Sequence, residues 1–218
     1  MSNKQIHTVY KKLDGTRVPS VTTYLGILNK PALVPWAWKL GVEGLDFNKV
    51  KDEAGRIGTL AHYMINVELS NKPYDEAFMR DYTPNEIEQA SIPMAKFNEW
   101  KVQHILNPIV MEEPLVSEVY GFGGTPDFYG EVDSVLTLLD WKTGKTIYDE
   151  AFSQVAAYKE LLVEHGHEVE AIRILRFGKD EIEGFEDRVV ENTDLHWELF
   201  RHCQDIYELQ KAIRRGKR

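Results

Sequence analysis

The chain has one cysteine, Cys203, in 218 residues, so no internal disulfide can form and no set of thiolates is present to ligate a zinc ion or a cluster. It has no apolar run of the roughly eighteen residues that a membrane-spanning helix needs. It also lacks a basic n-region ahead of an apolar stretch, so a secretory leader is not expected and a reducing cytoplasm is. Positive charge is in deficit: 26 Lys and Arg against 35 Asp and Glu leave a net charge of −9. That balance opposes a broad polyanion-binding surface, because such binding rests on neutralised phosphates. No Gly-x-Ser-x-Gly elbow is present for an acyl-transfer serine. Gly144-Lys145-Thr146 resembles the end of a phosphate-binding loop, but Leu139 stands where that loop needs its first glycine. His196, His202 and Cys203 do not have zinc-site spacing, and His165 and His167 flank a helix-ending glycine.

What remains is a chain that is 43% hydrophobic, with five Trp, ten Tyr and nine Phe, enough to bury a sizeable core. No repeat or low-complexity linker divides it, so one domain over residues 1–218 is expected. A mainly helical part (1–107) precedes a sheet and helix (108–192) and a last helix with a basic tail (193–218).

Patterning predicts a hairpin turning at Asp14-Gly15, then helices over about 21–28, 35–40, 53–69 and from Pro84 to about 104. Strands follow at about 109–119, 124–130 and 135–142, then a helix over 150–164 closed by Gly166. Two more strands (170–177, 185–190) precede a helix over 194–214. This order gives a mixed α/β fold, a central mixed sheet flanked by helices.

The most informative segment is GTPDFYGEVDSVLTLLDWKTGK. A short turn joins the strand after Asp127 to the apolar run that ends at Asp140, so an antiparallel hairpin brings the two carboxylates together. Strand alternation puts Asp140 and Lys142 on one face and Trp141 on the other. Paired acids on a core strand repel one another unless a cation lies between them or one stays protonated. A hard divalent ion such as Mg²⁺ takes one or two carboxylates and keeps several waters. A neighbouring ammonium suits the charge that develops when a phosphodiester is attacked.

Pro126-Asp127 followed by Asp140-Trp141-Lys142 resembles the PD-(D/E)xK nuclease superfamily, and specifically its RecB-like exonuclease branch. Gln154 and Tyr158 in SQVAAYKELL resemble that branch's Gln-x-x-x-Tyr helix, and their i,i+4 spacing puts them on one helical face. His62 in RIGTLAHYMIN resembles its upstream histidine, and the N-terminal VPSVTTYLGILNKPALVPWAWKLG resembles the opening of phage-encoded members. The resemblance implies a restriction-endonuclease-like core behind a helical N-terminal region. It implies metal ligation by Asp127, Asp140, the carbonyl of Trp141 and His62, with Mg²⁺ or Mn²⁺ as cofactor; an imidazole ligand favours Mn²⁺. Lys142 would position the attacking water, and Gln154 and Tyr158 would touch the lysine or the DNA. Glu118 would be an accessory acid, and Lys145 a DNA contact. Some relatives carry an iron–sulfur cluster on four cysteines, and with Cys203 alone none is expected here.

The implied activity is a DNA exonuclease of phage recombination, repair or replication, acting beside an annealing or single-strand-binding protein. A flap or junction endonuclease using the same site, and a non-catalytic binding module, are the alternatives. Arg173, Arg176 and the tail Arg214-Arg215-Gly216-Lys217-Arg218 are further candidates for DNA contacts. Trp36 and Trp38 are candidates for stacking on single-stranded bases.

Overall fold

The computed structural model describes residues 8–180 and 182–217. A small hairpin of β1 (Tyr10–Lys11) and β2 (Arg17–Val18) leads into α1 (Val21–Leu25). Ser20 caps α1, its Oγ accepting from the Thr23 N–H at 3.0 Å. Next come α2 (Leu33–Val42), the long α3 (Phe47–Ser70), the single turn α4 (Glu76–Met79) and α5 (Pro84–Lys101). Helix α3 begins six residues earlier than periodicity predicts, because Asp46 accepts hydrogen bonds from the Asn48 and Lys49 N–H groups and so starts the helix. Asn71, in the left-handed region at φ 49°, ends it. Helix α5 stops at Lys101, short of the predicted His104.

The central sheet has the order β3 (Leu106–Val110), β6 (Phe128–Val132), β7 (Val135–Thr143), β8 (Ala171–Phe177), β9 (Phe185–Val189). Only the β7–β8 pair is parallel, joined through α6 (Asp149–Glu164), so the sheet is mixed. The last helix is α7 (Asp194–Gly216). Two predicted strands are broken. The run expected over 109–119 divides into β3 and β4 (Leu115–Ser117), with Glu112 at φ 46° between them. The run expected over 124–130 divides into β5 (Phe122–Gly124) and β6, separated by Thr125-Pro126-Asp127. Strands β4 and β5 pair with each other beside the main sheet, and Gly123 of β5 also bridges to Ser20.

Alternation along the strands sends side chains to two cores. On one face Tyr129, Leu138, Ile172 and Ile174 pack with α1, α6 and α7 through Tyr24, Val155, Leu161 and Phe200. On the other, Phe128, Leu139, Trp141 and Phe177 pack with α3 and α5 through Leu60, Ile65 and Phe97. Trp141 therefore points away from the α6 face, as alternation predicts. Both faces of the sheet are covered, which is why β7 reads as a continuous apolar run. Among the described residues no helix is long and apolar enough to cross a membrane.

Candidate active site

The tight turn at Asp133-Ser134, both residues at positive φ, fixes the β6–β7 register with Phe128 opposite Leu139. One step beyond that pair, Asp127 and Asp140 face each other where the hairpin ends and β7 runs on alone beside β8. The Trp141 N–H donates to Asp127 Oδ2 at 2.7 Å, and His62 Nδ1, from α3, lies 3.2 Å from Asp127 Oδ1. Asp140 has no exposed surface, and neither of its carboxylate oxygens has a hydrogen-bond partner. Lys142 Nζ stands 2.5 Å from Asp140 Oδ2, close enough for an ion pair but without hydrogen-bond alignment.

Burial pushes the Asp140 carboxyl up to about 6; the Lys142 charge opposes this and the Asp127 charge adds to it. Burial works the same way on Asp127, but there His62, Lys142 and the Trp141 N–H prevail and hold it below its ordinary value. His62 mirrors this: burial disfavours its cation, yet the adjoining Asp127 carries its pKa above 6.5. The two acids are thus driven apart, one kept ionised and one inclined to hold a proton.

Helix α6 brings Gln154 and Tyr158 to the same place. Gln154 Nε2 donates to Tyr158 Oη at 2.9 Å. Burial, reinforced by Asp140 and Asp127, raises the Tyr158 pKa well above 10, so the phenol stays neutral and its own proton is free to be donated. The ring lies against Gly124: a Cβ added there would stand 2.7 Å from Tyr158 Cε1 and 2.9 Å from Leu161 Cδ1. Gly124→Ala is expected to cost about 2 kcal/mol of stability by overpacking. It should also turn the Tyr158 hydroxyl away from Gln154. A urea titration, with the cleavage rate followed in parallel, reads both effects.

The structure thus brings together His62, Asp127, Asp140, Trp141, Lys142, Gln154 and Tyr158. It separates Glu118 and Lys145 from them. Glu118 is exposed and accepts from the Leu13 N–H at 2.7 Å, on the side of the β1–β2 hairpin, because the strand expected to carry it toward Asp127 is broken. Lys145 sits exposed on the bend after β7 and lines neither cleft beside the site. Arg173 and Arg176 are engaged within the fold. Arg173 forks onto Asp187 at 2.9 and 2.5 Å, and buried Arg176 donates to the Gly144 carbonyl and pairs with Glu186. In the tail, Arg214 and Arg215 form the last turn of α7, and Arg218 lies outside the described residues.

Glu112 is the acid that sequence reading missed. Its N–H donates to the Pro126 carbonyl at 3.1 Å, which ties the exposed turn after β3 to the residue before Asp127. Burial of the carboxyl, then the Asp127 charge, raises its pKa, with Asn66 and His62 opposing. Only its left-handed turn conformation puts it there, and no periodicity signals that. Two clefts flank the cluster and share Thr143. One, of about 200 Å³, is lined by Lys142, Gln154, Lys30 and Gly26. The other, of about 630 Å³, is lined by His62, Glu112 and residues of α2 and α3.

Among the described residues no three His, Cys, Asp or Glu side chains form a group that could hold a metal ion. Two carboxylates are present, however, and that is the number Mg²⁺ ordinarily takes from a protein. The buried, unpartnered oxygens of Asp140 fit such an ion.

No family model and no curated protein matches the chain. Among solved structures it is similar to the crystal structure of a provisionally named exonuclease from Eubacterium rectale, with a TM-score of 0.48 and 14% identity over 71% of this chain and 65% of that one. It is also similar to an alkaline exonuclease from Laribacter hongkongensis (TM-score 0.40, 15% identity, 71% of this chain and 81% of that one). The complex of that enzyme with dAMP gives a TM-score of 0.39 at 15% identity, covering 71% of this chain and 82% of that one.

Proposed function

We propose that the protein is a divalent-metal-dependent deoxyribonuclease that hydrolyses phosphodiester bonds from DNA ends. The observation that carries this reading is Asp140, a fully buried carboxylate ion-paired through Oδ2 to Lys142, whose Oδ1 has no hydrogen-bond partner among the described residues, beside a second carboxylate. Two buried carboxylates beside one ammonium leave negative charge in excess, which is costly to keep unless a cation completes it. Asp127 and Asp140, with the Trp141 carbonyl, would hold Mg²⁺ or Mn²⁺, and His62, already on Asp127, is the next donor to hand. The ion supplies positive charge to the phosphate and the departing oxygen.

The chain's own groups do the rest. Lys142, 27% exposed at the cleft, orients the attacking water with its ammonium. Tyr158 keeps its proton and offers the O–H as a hydrogen-bond donor to the substrate, because the phenolic oxygen already accepts from the Gln154 amide. Gln154 and Lys142 line the smaller cleft together and meet the substrate backbone there. The water oxygen bonds to phosphorus as the P–O3′ bond breaks; the water's proton passes to solvent, and the 3′ oxygen takes one from solvent and leaves as a hydroxyl. Action from ends, and a role in phage recombination, repair or replication beside an annealing or single-strand-binding protein, follow from the resemblance of the motif set alone.

End-labelled linear single- and double-stranded DNA, with closed circles alongside, tests the reading in Mg²⁺, Mn²⁺ and EDTA. Metal-dependent loss of the linear species with circles intact is the expected result. Cut circles replace the exonuclease with an endonuclease. No cleavage in either metal overturns the nuclease reading.

A further inference from the structure

Helix α3 carries glycine at positions 55 and 58, although glycine is the least favourable helix residue after proline. Gly58 has a packing reason. A Cβ there would stand 2.9 Å from Thr143 Oγ1, so its absence lets α3 approach the end of β7 one turn before His62. Gly55 has none: a Cβ added to it meets nothing within 4 Å. It lines the larger cleft, where Ala54, Gly55 and Gly58 make a wall without protruding side chains. Trp36, Tyr63 and Phe78 line the same cleft. Trp36 is half-buried and meets Phe47 edge to face at 5.2 Å, and Tyr63 and Phe78 lie 4.1 Å apart between ring centroids. His62, Glu112 and Thr143 also line it, and His62 Nδ1 lies 3.2 Å from Asp127 Oδ1, so the cleft borders the carboxylate site. Its volume of about 630 Å³ is within the range of small-molecule pockets.

We propose that this cleft is a base-binding subsite. It takes the nucleobase of a single-stranded nucleic acid, from the nucleotide adjoining the phosphodiester held at Asp127 and Asp140. A flat apolar ring fits a smooth helix wall edged by aromatic rings, as a phosphate does not. Among the described residues Lys51 is the one Lys or Arg lining the cleft, and its neighbour Asp52 stands 3.7 Å away; His62, also on the cleft, is already taken up by Asp127. Glu112, which also lines the cleft, would repel a phosphate further. A base enters only unpaired, which restricts the substrate to single strands or frayed ends. The proposal rests on the nuclease reading of the site and adds its substrate class.

The test is equilibrium binding, by fluorescence anisotropy in EDTA, of a labelled single-stranded oligonucleotide and of the same backbone without bases. The wild type is expected to prefer the base-bearing strand roughly tenfold or more, the effect of one good stack. Trp36→Ala and Gly55→Leu should lose that preference. Gly55→Ala should bind nearly as the wild type does. Thermal midpoints of both Gly55 variants are expected at or above the wild-type value, since both substitutions improve the helix, so loss of binding in Gly55→Leu cannot be unfolding. Equal binding of both strands by the wild type, or full preference kept in Gly55→Leu, overturns the subsite. The two readings fail separately: a wild type that shows the preference but cuts nothing in Mg²⁺ or Mn²⁺ keeps the subsite and loses the nuclease. Cleavage by a wild type blind to bases does the reverse.

Discussion

Asp140→Asn is expected to lower metal-dependent DNA cleavage by at least about a hundredfold, since losing groups that merely orient a metal ligand already costs about 10–100-fold. The substitution keeps the volume of a side chain with no exposed surface and removes only its charge. The same variant should stop responding to the ion itself. At about a hundred times its Kd, a ligand stabilises by about 2.7 kcal/mol. For a chain of this size that raises the thermal midpoint by roughly 5–10 °C. Mg²⁺ or Mn²⁺ should therefore raise the midpoint of the wild type and leave Asp140→Asn where it was.

Without metal the order reverses. Asp140 has a folded pKa raised to about 6 from an ordinary 3.8, so the folded state holds its proton more tightly than the unfolded one. Its contribution is favourable below the ordinary value and is lost as pH rises through about 6. At pH 8 in EDTA, Asp140→Asn should be the more stable protein, by on the order of 1–2 kcal/mol. That gap should close as pH falls below 6. A calorimetric series at pH 5, 6.5 and 8, with and without Mn²⁺, reads both effects. A variant that cuts as the wild type does, or still gains from metal, removes Asp140 from the site.

The pairing of Asp127 with Asp140 was legible in the sequence because it depends on local matters: a tight turn, an apolar run and a period of two. Gln154 and Tyr158 were singled out by the resemblance of their helix to a known motif; local spacing alone told only that they share a face, since i,i+4 spacing survives in any α-helix. The hairpin and the strand–helix–strand order of β7, α6 and β8 gave the mixed sheet. What was not legible depends on backbone conformations that composition does not announce. The left-handed turn at Glu112 breaks a predicted strand in two, carrying Glu118 off to the β1–β2 hairpin and bringing Glu112 to the cluster instead. Arg173 and Arg176 looked like free cations because their partners, Asp187 and Glu186, come from β9, across a strand pairing that no local pattern specifies. Gly58 as a contact point for Thr143 is a similar case, a tertiary approach between α3 and β7.

Glu86 illustrates how the fold holds this arrangement from a distance, and its removal is expected to cost about 3 kcal/mol. The side chain closes a capping box at the start of α5, with Glu86 Oε2 accepting from the Thr83 N–H at 2.8 Å and Thr83 Oγ1 accepting from the Glu86 N–H at 3.2 Å. It also receives Arg56 from α3 in a fork, Nε to Oε1 at 2.5 Å and Nη2 to Oε2 at 3.2 Å, with the guanidinium over the Tyr82 ring. Glu86 is only 5% exposed, so solvent screens the pair little. The Arg56 hydrogen bonds, with those from Thr83, hold its pKa down to about 2 against an ordinary 4.5. By linkage, a depression of that size contributes about 3 kcal/mol. The contribution is complete above about pH 4.5 and is lost as pH falls toward 2. Glu86→Gln should therefore have a much lower urea midpoint than the wild type at pH 7, and the two should converge as pH falls from about 4.5 toward 2. Equal midpoints at pH 7 would show that the fork contributes nothing. Because Arg56 lies between Gly55 and Gly58 on α3, the fork also fixes the helix that delivers His62 to Asp127. Yet Glu86 touches no reacting group. Where Glu86→Gln is still folded, its cleavage rate should fall far less than that of Asp140→Asn, which separates the residue that holds the helix from the residue that holds the charge.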